Sequence, residues 1–306
     1  MKTLHKTAIS VVAAGLLSSL AYTPAFAADE PEASPITANV TVVNDYRYRG
    51  LTQSNFKPAI QGGFDYAHES GFYIGNWNSS ISWIGDGYAA NSNYGTPGVS
   101  APIEMDFYAG FKKELIGEGF ASDIGVLQYY YPTNGLPSIG SINKAGSQGY
   151  AAIQNTYRQA SGTNPSTTEV YAAQNFTYGP LTGFAKFSYA LTPLFGIYNS
   201  VGSFYPDLTV NYDTGVDGIT LNGHIGYQGV GHGSYSYSGT GYNFNYTDWK
   251  LGLTKDFGGG LSGSIAYIGT NAQKTTGTNG GSYVYSTPQG ANQGRATGLI
   301  SLTKTF

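Results

Sequence analysis

The chain has 306 residues, with 44 Gly, 27 Tyr, no Cys and only 11% charged residues, against about 25% in an average globular domain. The absence of Cys excludes disulfides, thiolate metal sites and a cysteine nucleophile. A formal net charge of −3 excludes the basic footprint of a nucleic-acid binder. Lys2 and Lys6, the apolar run 8–20 and the small-x-small triplet Ala25-Phe26-Ala27 read as a secretory signal. Residues 1–27 are therefore expected to be cleaved, and the run is well short of the roughly 20 residues of a spanning helix. Without Lys2 and Lys6 the 15 basic residues fall to 13 against 18 acidic ones, a formal charge of −5. Residues 28–36, with Pro31, read as a short linker, and 37–306 as one all-β domain.

Across 37–51, Val40, Val42, Tyr46 and Tyr48 share one face of a predicted strand, while Asp45, Arg47 and Arg49 share the other. After a polar loop around 53–57, Ile60, Phe64 and Tyr66 alternate with Gln61, Gly63 and Asp65, and His68-Glu69-Ser70-Gly71 makes a tight turn. Tyr73, Trp77, Ile81 and Trp83 are predicted to line the next strand. Ile103, Met105, Phe107, Ala109 and Phe111 then alternate with Glu104, Asp106, Tyr108 and Lys112, followed by a strand over 120–131. Beyond a long polar loop, 169–178 and 181–191 form a hairpin across Gly179-Pro180, with Lys186 opposite Phe187 and Tyr189. Leu208, Val210 and Tyr212 lead into Ile219, Leu221, Ile225 and Tyr227, which alternate with Thr220, Asn222, His224 and Gln228. Trp249, Leu251 and Leu253 oppose Asp248 and Lys250. Gly258-Gly259-Gly260 turns the chain into 261–270, and the closing stretch puts Gly298, Ile300, Leu302 and Phe306 on one face.

This makes about 12 strands, an even number, with short connections after the even-numbered strands and long Gly/Ser/Asn/Tyr-rich ones after the odd. The expected fold is a transmembrane antiparallel up-and-down β-barrel with short periplasmic turns and long outer loops. Closure leaves no backbone edge unpaired in lipid, and no helix is expected after the signal. The closing strand and its terminal Phe306 resemble the C-terminal recognition strand of Gram-negative outer-membrane proteins, which implies an assembly signal, with Lys304 standing where an apolar residue is commoner. Barrel assembly machinery, periplasmic chaperones and outer-membrane lipid are the implied partners.

The stretch Asn44-Asp45-Tyr46-Arg47-Tyr48-Arg49-Gly50-Leu51-Thr52-Gln53-Ser54, with Pro58-Ala59-Ile60-Gln61-Gly62-Gly63-Phe64-Asp65-Tyr66 and Ser70-Gly71-Phe72-Tyr73-Ile74-Gly75-Asn76-Trp77, resembles the proteobacterial Gcw_chp family, or TorF-like porins. Glu104-Met105-Asp106-Phe107-Tyr108-Ala109-Gly110, Thr168-Glu169-Val170-Tyr171, Tyr246-Thr247-Asp248-Trp249 and the closing strand fit it too. The resemblance implies an outer-membrane barrel over nearly the whole mature chain. The loop 133–165 is longer than the family's pattern.

Charges facing lipid would cost about 2–4 kcal/mol each near the midplane for Lys or Arg. Asp45, Arg47, Arg49, Asp65, Glu104, Asp106, Glu169, Lys186, Asp248 and Lys250 are accordingly expected in the lumen, with Asp123 and Arg295 beside them. Arg47, Arg49, Glu104 and Asp106 are the candidates for selectivity, and 133–165 for the constriction. Tyr46, Tyr48, Tyr73, Trp77, Trp83 and Trp249, with Tyr129 and Tyr227, are expected as a membrane-interface girdle. Of the mature chain's histidines, His68 falls in a turn, His224 faces the lumen and His232 lies in a loop. No serine nucleophile motif accompanies them, so catalysis is not expected; nor is a metal site or a cofactor. The expected function is a porin passing small hydrophilic solutes. The alternatives are a barrel plugged by ion pairs, such as Arg47 or Arg49 with Glu104 or Asp106, whose outer loops bind a ligand, and a rim enzyme.

Overall fold

Alternation of apolar and polar side chains is what a strand needs when one face meets lipid and the other a polar interior. Twelve segments with that pattern become the wall. The structure is a computed structural model and describes residues 34–89, 99–135, 165–197, 199–237, 239–278, 280–281 and 283–306. The wall strands are β1 (Ile36–Val43), β2 (Ala59–Ala67), β3 (Phe72–Ser80), β4 (Ile103–Gly117), β5 (Phe120–Tyr130) and β6 (Thr167–Tyr178). They continue as β7 (Leu181–Ala190), β8 (Phe204–Asp213), β9 (Ile219–Gln228), β10 (Tyr246–Gly258), β11 (Leu261–Thr270) and β12 (Thr297–Thr305). Each pairs antiparallel with its chain neighbours, and β1 pairs with both β2 and β12, closing the barrel. At the seam Val40 lies opposite Lys304 and Thr41 opposite Thr303, whose hydroxyls are hydrogen-bonded at 2.8 Å.

The connections 68–71, 118–119, 179–180, 214–218 and 259–260 are short and share one end of the barrel, as the alternation of loop lengths predicts. The intervening ones, at the opposite end, are long and are not merely coil. The stretch after β1 folds back into the barrel as a small hairpin, Arg47–Tyr48 paired with Leu51–Thr52. Helix α1 (Trp83–Ala89) follows β3, and a 3-10 turn (Leu194–Gly196) follows β7. Ser234–Tyr237, Thr240–Asn243 and Thr276–Gly277 form a separate three-stranded sheet. Two expectations are corrected here. Helix does occur after the signal, and Trp83 opens α1 instead of lining a strand, because β3 ends at Ser80.

The outer surface is a belt of large apolar side chains, among them Val42, Ile60, Phe107, Ile124, Phe187, Leu208, Ile225, Leu251, Ile265 and Ile300, all exposed. Without lipid around it such a surface would be an aggregation template. The interior is where the polar residues lie, and its loop-end half also holds two packed aromatic clusters that meet at Phe195.

Candidate functional site

Strand parity puts seven of the expected lumen residues on the inner wall: Asp65 on β2, Glu104 and Asp106 on β4, Glu169 on β6, Lys186 on β7, and Asp248 and Lys250 on β10, all buried. Asp45, Arg47 and Arg49 are inside too, but by another route. The chain leaves the wall after Val43 and turns inward, so these three ride on the inner hairpin. Arg47 pins its base: Nε donates to Asp45 Oδ2 at 2.6 Å, and Nη1 to the carbonyls of Gly50, Gln293 and Arg295. Arg49 pins its tip to the far wall. Its Nη2 donates to Glu169 Oε2 at 2.7 Å and its Nη1 to Gln228 Oε1 at 2.6 Å, while the guanidinium lies 4.2 Å over the Tyr205 ring. The plugged-barrel alternative pairs these arginines with Glu104 or Asp106; their partners are instead Asp45 and Glu169.

Glu104 instead accepts from the Tyr46 hydroxyl at 2.9 Å. Burial, with the Glu104 and Asp106 carboxylates beside it, pushes the Tyr46 phenol well above its ordinary value, so it remains a donor. Asp106, 1% exposed, has an Oδ1 that accepts no hydrogen bond among the described residues. Further round the wall, His224 Nε2 is 2.9 Å from Asp248 Oδ1 and its Nδ1 is 3.4 Å from Asp207 Oδ1. Tyr205 donates to Asp248 Oδ2 at 2.9 Å.

The girdle expectation fails for most of its members. Tyr46, Tyr73, Trp77, Trp83 and Tyr129 are buried inside, and Tyr48 packs with them. For Tyr46 and Tyr48 the reason is the inward turn after Val43, which breaks the parity that β1 sets. On β3 the outward positions belong to Phe72 and Ile74, which leaves Tyr73 and Trp77 pointing in. Trp249 and Tyr227 do face outward. Arg295 is exposed at the loop end, its guanidinium 3.9 Å over Phe56, outside the lumen. The expected constriction at 133–165 lies outside the described residues from 136 to 164.

Residues that sequence reading missed complete the site. Tyr205 and Asp207 went unnoticed because Pro206 masked the start of β8, which the apolar pattern placed at Leu208. Phe195 has no pattern to betray it. It sits between Tyr48, Tyr129 and Tyr131 with ring centroids 5.2–6.3 Å away, and has φ 47, a left-handed backbone that is uncommon for so bulky a residue.

The two halves of the interior therefore differ. The loop-end half is packed with protein, leaving among Tyr48, Trp83, Phe195, Tyr246 and their neighbours a cavity of about 40 Å³, room for a few water molecules. The turn-end half is looser and polar, with Lys112, Asp123, Tyr171, Phe184 and His224 half-buried. Among the described residues, inward carboxylates (Asp45, Asp65, Glu104, Asp106, Asp123, Glu169, Asp207, Asp248) outnumber inward Lys and Arg (Arg47, Arg49, Lys112, Lys186, Lys250) by eight to five.

A model of the Gcw_chp family, described as a bacterial protein of unknown function, matches residues 27–306. The chain belongs to this family. No curated protein is a significant match. Among solved structures, the KdgM porin is similar at TM-score 0.45 and 6% identity over 89% of this chain and 98% of its own. A FadL homologue from Pseudomonas aeruginosa scores 0.41 at 11% identity, covering 89% of each chain. OprD from Pseudomonas aeruginosa scores 0.38 at 12% identity over 90% of this chain and 67% of its own. At such scores the likeness is no more than one of general barrel shape.

Proposed function

We propose that this Gcw_chp protein is an outer-membrane channel for passive diffusion of small hydrophilic solutes, a TorF-like porin. Its leader would be removed on export, its short turns would lie in the periplasm and its long loops outside. The barrel assembly machinery would read the closing strand and Phe306. The observation that carries this reading is the row of charged side chains along the inner wall, half-exposed toward the turn end. A barrel wall is held by its own ladder of hydrogen bonds and needs no such charges, and burying them is costly even when they are paired, so their presence favours a polar interior with a use of its own. On this reading the inner hairpin would act as a gate across the loop-end half of the lumen.

The packing of the loop-end half supports a second reading, a permanently plugged barrel whose outer loops bind a ligand. Planar-bilayer conductance of the refolded chain separates the two, with wild type beside Arg47→Ala/Arg49→Ala. A gated channel shows discrete steps that are several-fold larger in the double variant. Silence from both proteins, each shown to be folded by its shifted position on an unboiled gel, would move the function to the loops.

A further inference from the structure

Arg49 belongs to the hairpin, but every group that holds its guanidinium, apart from its own neighbour Tyr48, belongs to the wall. Glu169 comes from β6, Tyr205 from β8 and Gln228 from β9. The guanidinium is nearly enclosed, its side chain 6% exposed. Wall positions are rigid, and this one is built in advance. A Cβ at Gly226 would overlap the Tyr205 hydroxyl, so the missing side chain on β9 is what lets that phenol lie across the strand. Tyr205 is then fixed by its hydrogen bond to Asp248. A carboxylate, an amide carbonyl and an aromatic face set around one point are the complement of a planar cation.

The occupant, by contrast, rides on a hairpin held less by its own ladder than by side chains, Arg47 on the carbonyls of Gly50, Gln293 and Arg295 and Tyr46 on Glu104. The hairpin has two residue pairs, Arg47 with Thr52 and Tyr48 with Leu51, and a two-residue ladder has little stability of its own. Its tip requires left-handed φ at Arg49 (44) as well as at Gly50 (76), and for Arg49 that conformation is unfavourable. Carboxylates lie around the site together with Lys186 on β7 and the His224 imidazole, whose Nε2 is 2.9 Å from Asp248 Oδ1. Asp106 carries an unpaired, buried carboxylate oxygen two strands from Glu169, and Asp248 lies behind Tyr205. With Arg49 withdrawn, the buried Glu169 carboxylate would lose its ion-pair partner, and an entering cation would restore one.

We infer that Glu169, Gln228 and Tyr205 form a binding site for guanidinium-bearing solutes, which Arg49 fills as a built-in mimic until the hairpin withdraws. That the occupant is a passing solute rests on the channel reading; the site itself does not. The channel would accordingly favour cations.

The test uses the full-length mature chain carrying Arg49→Ala, with methylguanidinium as probe and urea as a planar neutral control, both at millimolar concentration. The expected result is that methylguanidinium raises the midpoint of thermal unfolding of Arg49→Ala while urea does not, and that wild type, its site already filled, responds to neither. Adding Glu169→Gln should weaken the methylguanidinium response about tenfold, the effect of losing one buried charge-assisted hydrogen bond. If Arg49→Ala does not refold alone, methylguanidinium in the refolding mixture should recover the shifted gel band, and Arg49→Lys supplies a milder variant for the same titration. Equal responses to methylguanidinium and urea in both variants would overturn the site. The bilayer separates this from the channel reading. Rescue by methylguanidinium without current keeps the site and removes the channel, whereas current through Arg49→Ala that methylguanidinium neither blocks nor modulates keeps the channel and removes the site.

Discussion

Tyrosines on the inner wall take space that glycines on the next strand leave empty. A Cβ at Gly226 would overlap the Tyr205 phenol, and one at Gly125 would lie 2.5 Å from the Tyr171 hydroxyl. The abundance of both residue types is visible in composition, but their pairing depends on register between strands and is not. The same limit explains Asp207, whose place beside Lys186 and His224 comes from three neighbouring strands and from no local spacing. The charged residues in regular strands were legible because lipid forbids them on the outside. The buried tyrosines were not, since an amphipathic ring suits either a headgroup belt or a polar interior. Gly226→Ala is expected to cost about 1–3 kcal/mol, as overpacking does, and to loosen Arg49 by tilting Tyr205. Denaturant titration of the refolded variant reads the first effect, and a raised single-channel conductance reads the second. A neutral Gly226→Ala would show that Tyr205 can move without consequence.

Among the elements, the inner hairpin is the one whose geometry depends on two backbone angles. Positive φ at both Arg49 and Gly50 is the requirement of a two-residue turn whose twist matches that of its flanking strands. Arg-Gly is a weak signal for such a turn, and the alternation of 45–49 looks like the end of a long first strand. Sequence therefore read as wall what the chain folds inward. The lengths of the connections, by contrast, were readable, because short turns must sit together at one end of an up-and-down barrel. Gly50 also touches the wall at β10 and β11. A Cβ there would lie 2.8 Å from the Asp248 Cβ, and φ 76 disfavours any L side chain by about 1–2 kcal/mol. Gly50→Val should thus unseat the hairpin while leaving all twelve wall strands untouched. The expected outcome is an unchanged gel shift between unboiled and boiled samples with larger conductance steps. Wild-type conductance in this variant would mean that the hairpin does not close the path.

For the whole molecule, the seam between β1 and β12 and the apolar belt are two solutions to the same problem, that lipid offers neither hydrogen bonds nor tolerance for charge. The seam satisfies the backbone. Beyond the last strand, Phe306 and Ala38 still exchange main-chain hydrogen bonds while the Phe306 ring points outward, 72% exposed. Lys304, the residue out of keeping with an apolar closing strand, reaches to the turn end, where its Nζ donates to the Gly259 carbonyl, and so keeps its charge off the belt's middle. If the belt is a lipid contact, position along the barrel axis should set the cost of charge. Leu251 lies in the middle of β10 and is 68% exposed, whereas Leu261 opens β11 at the turn end. Leu251→Arg is expected to destabilise the barrel refolded into phospholipid vesicles by about 2–4 kcal/mol and Leu261→Arg by about 0–1 kcal/mol. In a water-soluble β-barrel both sites would be solvent-exposed and the two substitutions would differ little. Equal costs in vesicles would therefore count against a membrane-embedded wall, and a gradient from mid-strand to rim would establish the bilayer as the solvent this surface was selected for.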